Sequence, residues 1–253
     1  MLKSGIMRFS FTTLILVTIF CSSTFGDQGP ALLEAAKTGD LKQAQELLDK
    51  GAPVDARDEK GATALMAAAY KGNVDIVKLL LEWEADVDAT ATNDVTALML
   101  AAAAGHTEIV ELLLEWEAPV DAEAKEGGTA LMLASAAGHP EVVKLLLEWK
   151  ADIESKDEKE GFTALTLASV NNHPKVVSLL LEHGADVNVK AKGGSTVLML
   201  VCAAGRTEIA KLLLEKNPDV DAKDDQSLTA LMLAAATGNN EIVELLKAHG
   251  AKQ

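Results

Sequence analysis

The run Thr96-Ala97-Leu98-Met99-Leu100-Ala101-Ala102-Ala103-Ala104-Gly105-His106-Thr107-Glu108-Ile109-Val110-Glu111-Leu112-Leu113-Leu114 reads as two short helices and the turn between them. Thr96 supplies the hydroxyl that caps a helix start, and an Ala-rich apolar segment follows it without a breaker. Gly105 ends that segment, because the residue after a helix commonly turns left-handed and glycine does so without a Cβ clash. From Glu108 to Leu114 the apolar residues share one broad helical face, with Glu108 and Glu111 outside it.

Working outward, the same run recurs along the chain. Thr63-Ala64-Leu65, Thr96-Ala97-Leu98, Thr129-Ala130-Leu131, Thr163-Ala164-Leu165, Thr196-Val197-Leu198 and Thr229-Ala230-Leu231 stand at intervals of 33, 33, 34, 33 and 33 residues, and Pro30-Ala31-Leu32 stands 33 before the first. Seven units, starting near residues 30, 63, 96, 129, 163, 196 and 229, therefore fill the chain to its end as one array over residues 27–253. Gly72, Gly138, Gly205 and Gly238 repeat the stop signal of Gly105. Asp86-Val87-Asp88 and its equivalents alternate acid and apolar, which predicts a short extended arm leading into a turn.

Composition narrows the function classes. The 253 residues carry 23 Lys+Arg against 38 Asp+Glu, a net charge of −15, so no basic face is available to meet a nucleic acid. Met1–Gly26 differs from the rest: Lys3 and Arg8 are its only charges, and Phe9–Phe20 is an apolar run too short to span a bilayer and followed by small residues. This predicts a signal peptide over residues 1–26, cut after Gly26 or after Ser23, with Met7 as an alternative start. Its removal leaves 21 basic against 38 acidic side chains, a net −17, and an exported protein, periplasmic or secreted, without a membrane span. Lipidation at Cys21 is disfavoured by Phe20, which stands where a lipoprotein signal places a small residue. Cys202 is then the one remaining cysteine, at a position that Ala69, Ala102, Ser135, Ser169 and Ala235 hold elsewhere, and it reads as a small buried side chain.

The repeated Thr-Ala-Leu-Met motif, Gly184-Ala185-Asp186-Val187-Asn188 and Gly105-His106-Thr107-Glu108-Ile109-Val110 resemble the ankyrin repeat over essentially the whole chain after residue 29. The resemblance implies an all-α repeat fold, a solenoid of about seven helix-turn-helix units with β-hairpin fingers, whose concave side binds proteins. Lys37, Lys42, Gln43, Gln45 and Glu46 in the first unit and Lys247 in the last fit polar terminal caps. The family's signature His is here Met66, Met99, Met132, Thr166, Met199 and Met232, so apolar contact is expected to replace its hydrogen bond between repeats. Thioethers bind Cu(I), but equivalent atoms in stacked helices lie about 8–10 Å apart, too far to share an ion. The same spacing separates His106, His139 and His173, which read as loop residues, while His183 and His249 sit near helix ends where imidazole suits the dipole.

Candidate partner-binding residues fall on two surfaces. Trp83, Trp116 and Trp149 are all the Trp of the chain and occupy one repeat position, an aromatic ridge suited to anchoring a protein or to packing over its own stems. Beside them Glu84, Glu117 and Lys150 stand where Gly51, Gly184 and Gly250 supply a glycine. The second surface consists of the fingers and the concave face that the resemblance implies: Lys60, Asn93, Lys125, Lys159 and Phe162, with Tyr70 and Lys71 at the end of a first helix. Asp55, Asp88, Asp121, Glu154 and Asp221 form an acidic ladder that either steers a basic partner or bonds the turn backbone.

No phosphate-binding loop, zinc-ligand spacing or nucleophile elbow occurs, so a catalytic site, a cofactor and a metal are not expected. These residues predict a monomeric, non-catalytic scaffold for a protein client. The alternatives are an inhibitor or immunity-like neutraliser of a basic exported protein, a secreted effector binding a host protein, and a structural envelope protein that self-associates.

Overall fold

The computed structural model describes residues 28–252. The signal peptide expected over residues 1–26, its cleavage point and Cys21 lie outside them. Fourteen helices form seven antiparallel pairs among the described residues: α1 (Gln28–Thr38) with α2 (Leu41–Asp49), α3 (Ala64–Lys71) with α4 (Val74–Glu82), α5 (Ala97–Ala104) with α6 (Thr107–Glu115), α7 (Ala130–Ala137) with α8 (Pro140–Glu148), α9 (Ala164–Val170) with α10 (Pro174–Glu182), α11 (Val197–Ala203) with α12 (Thr207–Leu214), and α13 (Ala230–Ala236) with α14 (Asn240–Ala248).

The helix ends form where the sequence places them. Thr63, Thr96, Thr129, Thr163, Thr196 and Thr229 each accept, on the side-chain hydroxyl, the N–H three residues on at 3.3–3.4 Å. Each is extended in backbone and nearly inaccessible to solvent, so every repeat after the first gains a cap worth about 1 kcal/mol. Gly72, Gly105 and Gly138 close α3, α5 and α7 with φ of 79–80°. Asn172 takes the left-handed conformation in the fifth unit with φ 65°, as an amide side chain tolerates.

The pairs stack into one continuous core. Leu65, Leu98, Leu131, Leu165 and Leu198 of the first helices and Leu80, Leu113, Leu146, Leu180 and Leu213 of the second are all buried in it. First helices approach each other more closely than second helices do, so the stack curves with the Ala-rich first helices on its inner side. Met66, Met99, Met132 and Met199 are buried at 0–2% exposure, which realises the expected apolar contact between units. Met232, in the last of the described units, is 45% exposed. Lys37, Lys42, Gln43, Glu46 and Lys247 are exposed on the two end units, as capping the array requires.

The fingers are short. Each is closed at its base by a main-chain bond, as from Asp58 N–H to the Ala62 carbonyl at 3.0 Å and from Ala91 to Val95 at 2.9 Å, with a second bond inside the loop, as from Gly61 N–H to the Asp58 carbonyl at 2.9 Å, and the isolated antiparallel bridge Lys190–Thr196 is the nearest approach to a strand pair among the described residues. Asp86-Val87-Asp88, expected as an extended arm, is a turn instead. Ala89 N–H reaches the Asp86 carbonyl at 3.2 Å, and the Asp86 carboxylate takes the Asp88 N–H at 3.1 Å. An aspartate that bonds its own backbone two residues on bends the chain, which overrides the alternating pattern.

Candidate functional site

Three of the seven candidate residues on the finger and concave surface converge. The 34-residue interval falls between Thr129 and Thr163, and its extra residue lies in the finger that carries Lys159 and Phe162: this finger closes from Asp157 N–H to the Phe162 carbonyl, one residue longer than Asp58 to Ala62. Asp157 holds the longer loop by accepting the N–H groups of Glu160, Gly161 and Phe162 at 2.6, 3.1 and 3.2 Å. Glu158 N–H also bonds the Glu126 carbonyl of the preceding finger at 2.7 Å. Between the two fingers lies an open cleft of about 350 Å³, with Lys125, Lys159 and Phe162 on its walls and Leu133, Ala136 and Leu167 of α7 and α9 beneath. Glu126, Asp157 and Glu160 add carboxylates to the rim, so the cleft offers both signs of charge around an apolar floor.

The remaining concave candidates stand apart. Lys60 and Asn93 are exposed at the tips of earlier fingers, outside this cleft. Tyr70 is exposed at the end of α3, and the Lys71 ammonium lies 5.5 Å from its ring centroid, a cation–π pair.

Trp83, Trp116 and Trp149 are the residues that follow α4, α6 and α8, each fixed by its N–H on a carbonyl of the last turn at 3.0–3.1 Å. They are 40, 47 and 42% exposed, so much of each indole is uncovered by its own repeat. Glu84, Glu117 and Lys150 after them are left-handed, with φ of 60, 66 and 67°, where Gly51, Gly184 and Gly250 have 88–90°. In the fifth and last units His183 and His249 replace the Trp and bond the carbonyls of Leu179 and Leu245 through Nδ1 at 2.8 Å.

The acidic ladder bonds backbone. Asp55, Asp121, Glu154 and Asp221 each accept an N–H of the next repeat, from Asp86, Asp152, Asp186 and Lys252, at 2.7–2.9 Å. Asn188 does the same for Asp219 at 2.8 Å. Asp88 does not, because its counterpart is Pro119, which has no N–H.

A role that the sequence hid belongs to His106, His139 and His173. Their Nε2 atoms bond the carbonyls of Tyr70, Ala103 and Ala136 in the preceding unit at 3.1, 3.2 and 3.0 Å, and Asn73 and Asn239 reach Ala36 and Cys202 in the same way at 2.6 and 2.9 Å. The imidazoles press on Gly72, Gly105 and Gly138, where a Cβ would meet ring atoms at 2.4–2.7 Å. These glycines thus serve twice, in helix termination and in admitting the ring of the next unit. Arg206 stands at this position in the sixth unit, and its Nε is buried without a partner.

Cys202 is fully buried, and desolvation pushes its thiol up to about 12. On the outer face Lys78 and Glu108 pair at 2.9 Å across α4 and α6, a hydrogen bond that holds the ammonium above its usual range. Among the described residues no group of three or more His, Cys, Asp or Glu is placed to hold a metal ion, and no helix is long and apolar enough to cross a membrane.

This geometry defines a class before it defines a family: a solenoid of helix-turn-helix units tied by side-chain bonds between repeats, with projecting fingers. A family model described as "Ankyrin repeats (3 copies)" matches residues 13–91, 32–124, 85–157, 118–191 and 189–253. The chain belongs to the ankyrin repeat family. Among solved structures it is similar to the human ASB11 ankyrin repeat domain, with a TM-score of 0.79 and 25% identity over 88% of this chain and 98% of that one. No curated protein matches it. Ankyrin repeats in general mediate protein–protein interaction and are not enzymes.

Proposed function

We propose that this protein is an exported, monomeric, non-catalytic scaffold that docks one protein client in the cleft between its third and fourth fingers. The convergence of Lys125, Lys159 and Phe162 over the apolar floor of that cleft carries the reading. A client inserts an apolar side chain beside Phe162 and meets Lys125 and Lys159 with carboxylate or carbonyl oxygens. Fingers joined by main-chain bonds are ordered before the client arrives, so little conformational entropy is lost on docking. Export, to the periplasm or beyond the cell, rests on the apolar run Phe9–Phe20 and the small residues after it.

The experiment is site-specific photo-crosslinking in the source cells' exported fraction, with the photoreactive residue at 159. The reading expects one protein to be captured from position 159 and not from position 175 on the outer face. Equal capture from both positions, or none from 159, overturns it. The net charge of −15 favours a second reading, an inhibitor of a basic exported protein. That client would be released by salt, because a contact steered by exposed charges is screened.

A further inference from the structure

The ridge of Trp83, Trp116 and Trp149 has a chemistry of its own, distinct from the finger cleft. Each indole is flanked by charged side chains that are themselves exposed: Glu82 and Glu84, Glu115 and Glu117, Glu148 and Lys150. Five carboxylates therefore stand against one ammonium. Among the described residues only Glu148 of the five is in an ion pair, with Lys144 at 3.7 Å. A partly uncovered indole beside free carboxylates is the arrangement that attracts a cation, through the ring quadrupole and through charge together.

The spacing specifies the shape of the ligand. Equivalent residues in stacked helical units repeat about every 8–10 Å, and an extended chain in the polyproline II conformation rises about 3.1 Å per residue with three residues per turn, so every third side chain lies on one face and keeps step with the ridge. The ridge ends where His183 takes the Trp position and turns its Nδ1 onto the Leu179 carbonyl. We propose that the ridge binds an extended basic protein segment with Lys or Arg at every third residue, one cation to each indole. The backbone is set for it in advance, since each Trp is held by its N–H and followed by a left-handed residue.

Charge decides against other occupants. A second copy of this acidic chain and an anionic lipid surface are both repelled by the five carboxylates. A neutral polysaccharide stacks on aromatics but makes no use of the negative charge.

All three Trp of the protein lie in the ridge, so intrinsic fluorescence reads this site directly. The test titrates the protein with a Gly/Ser peptide carrying Arg at every third position, with a peptide of the same composition whose Arg are contiguous, and with a β-1,4-linked glucan oligomer. The expected result is a saturable emission change with the spaced peptide, about tenfold tighter than with the contiguous one and weakened about tenfold by Trp116→Ala. Glu115→Gln with Glu117→Gln weakens it several-fold while circular dichroism and melting stay unchanged, which separates recognition from folding. Equal affinity for both peptides, no emission change, or a change with glucan alone overturns the proposal. Lys159→Ala with Phe162→Ala leaves the peptide titration unaltered, so failure here and failure of the finger cleft are told apart.

Discussion

Replacing Glu84, Glu117 and Lys150 together by glycine should stabilise the protein. These residues hold φ of 60, 66 and 67° at the position where Gly51, Gly184 and Gly250 sit at 88–90°. A left-handed L-residue costs about 1–2 kcal/mol, and glycine's extra freedom in the unfolded chain takes back about 0.5–1 kcal/mol. The net gain is about 0.5–1 kcal/mol per site and about 1.5–3 kcal/mol for the three. A domain of this length gains about 2–4 °C per kcal/mol, so the midpoint should rise by about 3–12 °C. The assay is thermal unfolding followed by circular dichroism, with each single variant beside the triple. A midpoint that stays or falls would show that the side chains at these positions stabilise the fold by more than their backbone strain, and would refute the reasoning.

Other outcomes follow from the ties between repeats. His139→Ala removes the bond to the Ala103 carbonyl and the ring that fills the space over Gly105, so it should cost about 1–3 kcal/mol in urea unfolding. Asp121→Ala should cost about 1 kcal/mol through the lost bond to Asp152 N–H, whereas Asp88→Ala, opposite Pro119, should cost only a few tenths. The Cys202 thiol is raised from 9.0 to about 12 in the folded state, so its share of stability is intact below pH 9 and is lost as pH rises from 9 toward 12, where only the unfolded chain sheds the proton. Wild type should therefore lose more of its melting temperature than Cys202→Ala across that window. A matching fall in both would mean that the thiol is not shielded.

What the sequence made legible was what depends on near neighbours in the chain. A Thr cap acts three residues on, a C′ glycine acts at one φ, and an amphipathic face repeats every turn, so the helices, their ends and the unit length were all readable from Thr63 to Leu246. The ties between units were not, because they join residues 30 to 37 apart whose approach exists only after stacking. His106, His139 and His173 looked like loop residues for that reason, and their carbonyl partners lie 36 or 37 positions away. The acidic ladder was ambiguous in the sequence and is resolved by bonds such as Asp55 to Asp86 N–H over 31 residues. The cleft was half legible: Lys125, Lys159 and Phe162 were singled out, but not that the fourth finger, with its one-residue insertion, sets Lys159 and Phe162 opposite Lys125.

The central claim is that this array works by docking a protein in its finger cleft. The direct measurement is a calorimetric titration of the client captured at residue 159 into wild type and into Lys125→Ala/Lys159→Ala/Phe162→Ala, with melting curves to show both are folded. The account predicts saturable one-to-one binding to wild type and a loss of at least about tenfold in the variant, as truncating anchor residues does. Unchanged affinity in a folded variant would contradict it.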